Sequence, residues 1–126
     1  MPDSNESILL SIKKLLGLEP DYEAFDTDII MHINSVFGTL SQLGLEPDDG
    51  FSIEDDTTVW SEYIQNEKLL NSVKTYIYLR VRLLFDPPTT SFAIESFAKQ
   101  IAELEWRINV QIEEINPPNS TGGSLV

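Results

Sequence analysis

The chain has one imidazole, His32, in the run Ile29-Ile30-Met31-His32-Ile33. Helical spacing gives it Asp28 and Ser35 or Val36 as neighbours, which form neither a catalytic triad nor a metal-ligand set. A serine or threonine nucleophile needs a base and a group that orients that base, and no second imidazole is present to supply either. His32 therefore reads as a structural or surface side chain. There is no Cys, which excludes thiol nucleophiles, a disulfide framework and Cys-ligated zinc or iron–sulfur centres.

Carboxylates are abundant, and their densest run is Glu46 to Asp56, EPDDGFSIEDD, with six acids and no base. Placing Gly50 at the sixth position of a calcium-binding loop puts Asp49 fifth and Asp56 twelfth, but Leu45 and Pro47 then fall first and third and offer no side-chain oxygen. That leaves at most weak divalent binding. The glycines at 17, 38, 44 and 50 are isolated punctuation rather than a phosphate-cradling loop. No cofactor, metal or catalytic residue is expected.

The cations carry the remaining candidate chemistry. Lys74, Arg80 and Arg82 lie in one helical run, and two residues on a helix are separated by about 200°, so Arg80 and Arg82 point apart. They suit ion pairs within the chain or across an oligomer interface better than a nucleic-acid patch. Charge is also uneven along the chain of 126 residues: residues 1–67 hold 15 acids and 2 bases, whereas residues 68–126 hold 6 of each. The formal net charge of −13 thus resides in the first half. Such a balance disfavours phosphate binding, which draws its affinity from Lys and Arg.

Gly and Pro divide the chain into the elements that would position these groups. A first amphipathic helix, capped by Asp3 or Ser4, carries Ile8, Leu9, Ile12, Leu15 and Leu16 on one face, with Lys13 and Lys14 on its polar face, and stops at Gly17. A second, capped by Asp26 or Thr27, runs from Ile29 to Leu43 and stops at Gly44; Gly38 within it suggests close approach of another helix. Leu45 to Asp56 reads as a loop with a short extended piece at 51–53. A brief helix over 57–64 buries Val59, Trp60, Tyr63 and Ile64. The run LLNSVKTYIYLRVRLLF, with Leu84 in its apolar band, is too long for a strand and makes a central helix ended by Asp86-Pro87-Pro88. Thr89, Thr90 or Ser91 caps a last helix that buries Phe92, Ile94, Phe97, Ile101, Leu104 and Ile108 and frays near Ile112.

The predicted fold is all-α: a small antiparallel bundle of about four main helices plus one short helix. Residues 1–115 form the domain, and 116–126, NPPNSTGGSLV, have too little apolar content to fold alone and make a flexible C-terminal tail. No run approaches the roughly 18 apolar residues of a membrane span, and the acidic N-terminus does not read as a secretory signal, so the expectation is a soluble intracellular protein.

Four segments resemble the small head–tail connector, or neck adaptor, proteins of tailed bacteriophages. They are SIKKLLG at 11–17, FDTDIIMHIN at 25–34, VKTYIYLRVRLLFDPP at 73–88 and LEWRINV at 104–110. The resemblance spans roughly residues 8–112. It implies an all-helical structural subunit of the virion neck, made in the host bacterial cytoplasm. It further implies a homo-oligomeric ring of about twelve copies beneath the portal protein, extending the DNA channel and offering a platform to a stopper or tail-completion protein.

DNA would pass through such a ring without specific binding. Within this frame Lys74, Arg80 and Arg82 are candidate interface residues. Asp48, Asp49, Glu54, Asp55 and Asp56 form a candidate channel-facing acidic loop, where like charge would repel phosphate. Asn116, Pro117, Pro118, Leu125 and Val126 mark a candidate portal-docking tail. An alternative reading of the acidic half is a helical adaptor or inhibitor that mimics DNA.

Overall fold

A computed structural model describes residues 5–45, 47 and 50–116. Its elements are α1 (Ile8–Leu15), α2 (Asp26–Gln42), a 3-10 turn (Trp60–Glu62), α3 (Glu67–Phe85) and α4 (Ser91–Ile115). The all-α expectation holds. Helix α3 is central: α2 and α4 both pack along it, and α1 rests on α2 and α3.

Local chemistry accounts for the helix ends. The Ser7 hydroxyl caps α1 by accepting from the Leu10 N–H at 3.1 Å, a role the sequence pattern assigned to Asp3 or Ser4, which lie outside the described residues. The helix ends where Gly17 turns to φ 85°, letting the Leu18 N–H reach the Lys13 carbonyl at 2.9 Å. Gly44, at φ 108°, does the same for α2, and the Leu45 N–H reaches the Leu40 carbonyl at 3.0 Å. Both are left-handed closures that an L side chain would strain. Asn66 and Thr90 cap α3 and α4 by accepting from Leu69 and Ala93. Thr90 is one of the three residues proposed from sequence.

At the start of α2 the expectation fails. Phe25 occupies the cap position with no side-chain bond, and Asp26 is already inside the helix. The Asp26 carboxylate is drawn instead to Lys13, 2.8 Å away. Lys13, assigned to a polar face from sequence, is 0% exposed. Its ammonium also donates to the carbonyls of Pro20 and Tyr22 at 3.0 and 2.7 Å. The connector between α1 and α2 folds back over α1 and closes the lysine in.

The core is formed by Ile8, Leu9 and Ile12 of α1, Ile29, Ile33, Val36, Phe37 and Leu40 of α2, Val73, Tyr76, Ile77 and Val81 of α3, and Ile101, Leu104 and Ile108 of α4, with Trp60 beneath them. Several apolar positions expected inside are exposed: Leu15, Leu84, Phe92 and Ile94. For the two on α4, Phe92 and Ile94, the reason lies in the lengths. Helix α4 has 25 residues and α3 has 19, about 37 and 28 Å at 1.5 Å per residue. None of Ser91–Gln100 is buried, because α3 is the chief partner of α4 and covers one side of it.

Three smaller expectations also change. The 57–64 segment forms a three-residue 3-10 turn rather than a helix, tied to the chain before α1 by an isolated bridge between Ser7 and Val59. Helix α4 continues past Ile112 to Ile115. A Cβ added at Gly38 would meet nothing within 4 Å among the described residues, so none of the described helices approaches it closely.

Candidate functional site

The three candidate cations leave α3 in different directions, and each meets a partner within the chain. Lys74 faces the α1 side, 3.7 Å from the Glu6 carboxylate and 5.6 Å from the centre of the Trp60 ring. Arg80 faces α4, where it lies 3.5 Å from Glu105 and donates to the Tyr76 hydroxyl at 3.1 Å. Arg82 sits at the end of α3, donating to the Asp86 carbonyl at 2.7 Å and the Tyr78 hydroxyl at 3.2 Å, with its guanidinium 5.7 Å from the Phe97 ring. Both arginines remain about one-third exposed, so each could also meet a second molecule.

Tyr76, Arg80 and Glu105 form a polar tie between α3 and α4. The Tyr76 hydroxyl donates to Glu105 at 2.8 Å. Burial, followed by this bond to a carboxylate, pushes the Tyr76 phenol up to about 12; burial alone raises Tyr63 well above its ordinary value. Folding thus favours the protonated phenols. Their contribution to stability is complete below the unfolded tyrosine value near 10 and is lost as pH rises through the folded value. The expected result is alkaline destabilisation beginning near pH 10, with two of the four tyrosines ionising late in a 295 nm titration. Ionisation of all four in one step near pH 10, before unfolding, would contradict this burial.

The acidic segment is held through Phe51 and Ile53. The Asn34 side chain of α2 accepts from the Ile53 N–H at 2.8 Å and donates to the Ile53 carbonyl at 3.0 Å, satisfying a buried loop residue as a neighbouring strand would. Phe51 stacks on Tyr63 with ring centres 4.5 Å apart, and both meet Phe37 edge-on. Beyond Ile53, Glu54, Asp55 and Asp56 point to solvent. The Thr57 hydroxyl and N–H donate to Asp55 at 2.6 and 2.9 Å and hold its carboxyl below the usual value. Asp48 and Asp49 lie outside the described residues.

Asn34→Leu should cost about 2 kcal/mol by leaving both Ile53 backbone groups unpaired. It should also speed amide exchange at Ile53 more than at the helix-internal amides of Val73 or Ile77. Equal protection at Ile53 in the two proteins would show that the side chain does not anchor the loop.

Asn116 is the last described residue and lies exposed at the end of α4. Pro117, Pro118, Leu125 and Val126 lie outside the described residues. His32 is half-buried on α2, and no group of three or more His, Cys, Asp or Glu capable of holding a metal occurs among the described residues. No helix among them is long and apolar enough to cross a membrane.

The sequence reading missed two features. One is the anchoring role of Asn34, which depends on a partner 19 residues away. The other is Trp106, 67% exposed on α4. The second was legible, since Trp106 is two residues from Leu104 and therefore about 200° away from the apolar stripe. A family described as phage connector protein matches residues 8–115. No curated protein and no solved structure matches the chain.

Proposed function

We propose a structural role in the phage particle, from the premise that the chain belongs to the phage connector protein family. Membership supports a head–tail connector role at the virion neck, with partners among the portal and tail components, and the family is structural rather than enzymatic. The finer reading is a homo-oligomeric ring of about twelve subunits beneath the portal, carrying no chemistry of its own. The family match over nearly the whole helical part of the chain carries it.

Several structural features support this reading. A small bundle with an unfilled α4 face and shielded cations suits a subunit that completes itself against neighbours. Glu54, Asp55 and Asp56 on an anchored segment offer a fixed negative surface, which in a bore would keep DNA phosphates from adhering. The segment 116–126 would dock onto the portal and residues 1–115 would form the connector body. Lys74, Arg80 and Arg82 would contribute at the rim of subunit contacts, their intramolecular pairs exchanging with those of a neighbour.

Native mass spectrometry of the protein mixed with the portal protein of the same genome tests the reading. A complex that matches the portal symmetry, and that is lost when 116–126 are deleted, is the expected result. Absence of any complex at high concentration and low salt would overturn portal docking. Salt-sensitive binding to a DNA-binding protein in its place would favour the DNA-mimic alternative, whose basis is the acidic first half.

A further inference from the structure

Two surface features on opposite flanks of α3 fit one another. The first is the outer face of α4. Its buried residues Leu104 and Ile108 face α3, and Trp106 stands about 200° and 160° from them. An isolated exposed aliphatic residue needs no explanation, but a tryptophan is rarely left in water because its large apolar surface and lone N–H donor suit a partly wet contact. Phe92, 81% exposed, lies fourteen residues earlier and so within about 40° of the same face. The side of α4 that α3 does not cover therefore carries two unpartnered aromatic rings.

The second is an open groove of about 660 Å³ between α1 and α3, lined by Ser11, Lys14, Leu15, Asn71, Lys74 and Thr75. Leu15 is 49% exposed beside it. Pockets of a few hundred Å³ hold small-molecule ligands and are large enough for a side chain. The groove belongs to the side of α3 that bears residues 71, 74 and 75, whereas Arg80 and Leu84 face α4. Asn71 and Arg80 are nine residues, or half a revolution beyond two turns, apart.

Electrostatics selects the occupant. Each copy carries −13, so a contact between acidic halves is repelled, while the half that contains α4 has no net charge. Between the two halves, the groove places Lys14 of α1 and Lys74 of α3 against the single carboxylate Glu6, a locally positive spot. An ammonium attracts the negative face of an indole. We propose that Trp106 of one copy seats in the groove of Lys14, Leu15 and Lys74 on the next.

Because the two surfaces differ and lie on opposite flanks, the contact is head-to-tail, the kind that propagates and closes into a ring. The proposal rests on the ring reading and supplies its contact. It also gives the exposed Leu15 and Trp106 a common purpose.

The chain has no Cys, so a variant carrying both Thr75→Cys, in the groove, and Ala102→Cys, one turn before Trp106 on α4, tests the contact directly under mild oxidation with Trp106 in place. It should give a ladder of disulfide-linked multimers, while each single variant stops at non-specific background. In sedimentation velocity, Trp106→Ala should raise the concentration for half-assembly by at least about 30-fold, the effect of a central aromatic anchor.

Mixing Trp106→Ala with Lys14→Glu should give only 1:1 pairs, since one intact groove and one intact tryptophan remain between them. If the wild type assembles but no ladder forms, or if Trp106→Ala assembles as the wild type does, the contact lies elsewhere and this proposal falls while the ring stands. A wild type that stays monomeric at every concentration, with no ladder from the double-cysteine variant, overturns both.

Discussion

Lys13→Met should destabilise the fold by about 3–5 kcal/mol, the cost of breaking a buried ion pair by removing one partner. Methionine preserves most of the apolar stem, so little cavity opens. What is lost is every partner of three groups. The Asp26 carboxylate loses the ammonium 2.8 Å away, and the carbonyls of Pro20 and Tyr22 lose their donors. Asp26 retains 26% exposure, and water reaching it places the result near the lower end of the range.

For a domain of this size, a urea slope of about 1.5 kcal/mol/M turns 3 kcal/mol into a midpoint shift of about 2 M with the slope unchanged. Adding Asp26→Asn removes the stranded charge and should recover part of the loss. Lys13→Arg should not restore the wild-type value, because a planar fork with five donors does not reproduce three bonds from one tetrahedral nitrogen. A loss below 1 kcal/mol for Lys13→Met would mean that the connector does not enclose the lysine.

This residue also marks the boundary of what the sequence made legible. The four helices followed from apolar residues at three- and four-residue steps, and the ends of the first three from Gly17, Gly44 and Asp86-Pro87-Pro88, because those signals are local. Lys13 was misplaced because a cation in the last turn of a helix satisfies the dipole equally well on either face. Only the return of the chain through Pro20 and Tyr22 decides between them.

Phe92 and Ile94 were misplaced for a related reason. Periodicity identifies a face but not whether anything covers it, and the other helices end before that part of α4. Among the candidate site residues, Glu54, Asp55 and Asp56 are exposed as a solvated acidic loop requires. The directions taken by Lys74, Arg80 and Arg82 followed from helical geometry. Their partners Glu6, Glu105 and Tyr78 did not, because apart from Tyr78 they come from other elements.

Trp60→Ala should cost a similar 3–5 kcal/mol, as expected for removing a fully buried aromatic. Trp60 is 0% exposed and locks the chain after the acidic loop onto α1. Its backbone N–H donates to the Glu6 carbonyl at 3.1 Å, and the Ile8 N–H donates to the Thr58 carbonyl at 3.0 Å. Its indole N–H donates to the Ser11 hydroxyl at 2.7 Å, which in turn donates to the Ile8 carbonyl at 3.1 Å.

Smaller substitutions separate packing from hydrogen bonding. Trp60→Phe keeps a ring and leaves the Ser11 hydroxyl its bond to Ile8, whereas Ser11→Ala strands a buried indole donor at a cost of about 1–3 kcal/mol. The Trp60→Phe/Ser11→Ala pair should therefore cost less than the sum of its parts, since the stranded donor disappears with the indole. Fluorescence gives an independent reading. Trp106 is largely exposed and Trp60 is not, so Trp60→Phe should remove the blue-shifted, quencher-resistant part of the emission and leave a red, accessible remainder. If the remaining emission were blue and protected in the monomer, the assignment of Trp106 to the surface of the free subunit would be wrong, and with it the contact proposed for that side chain.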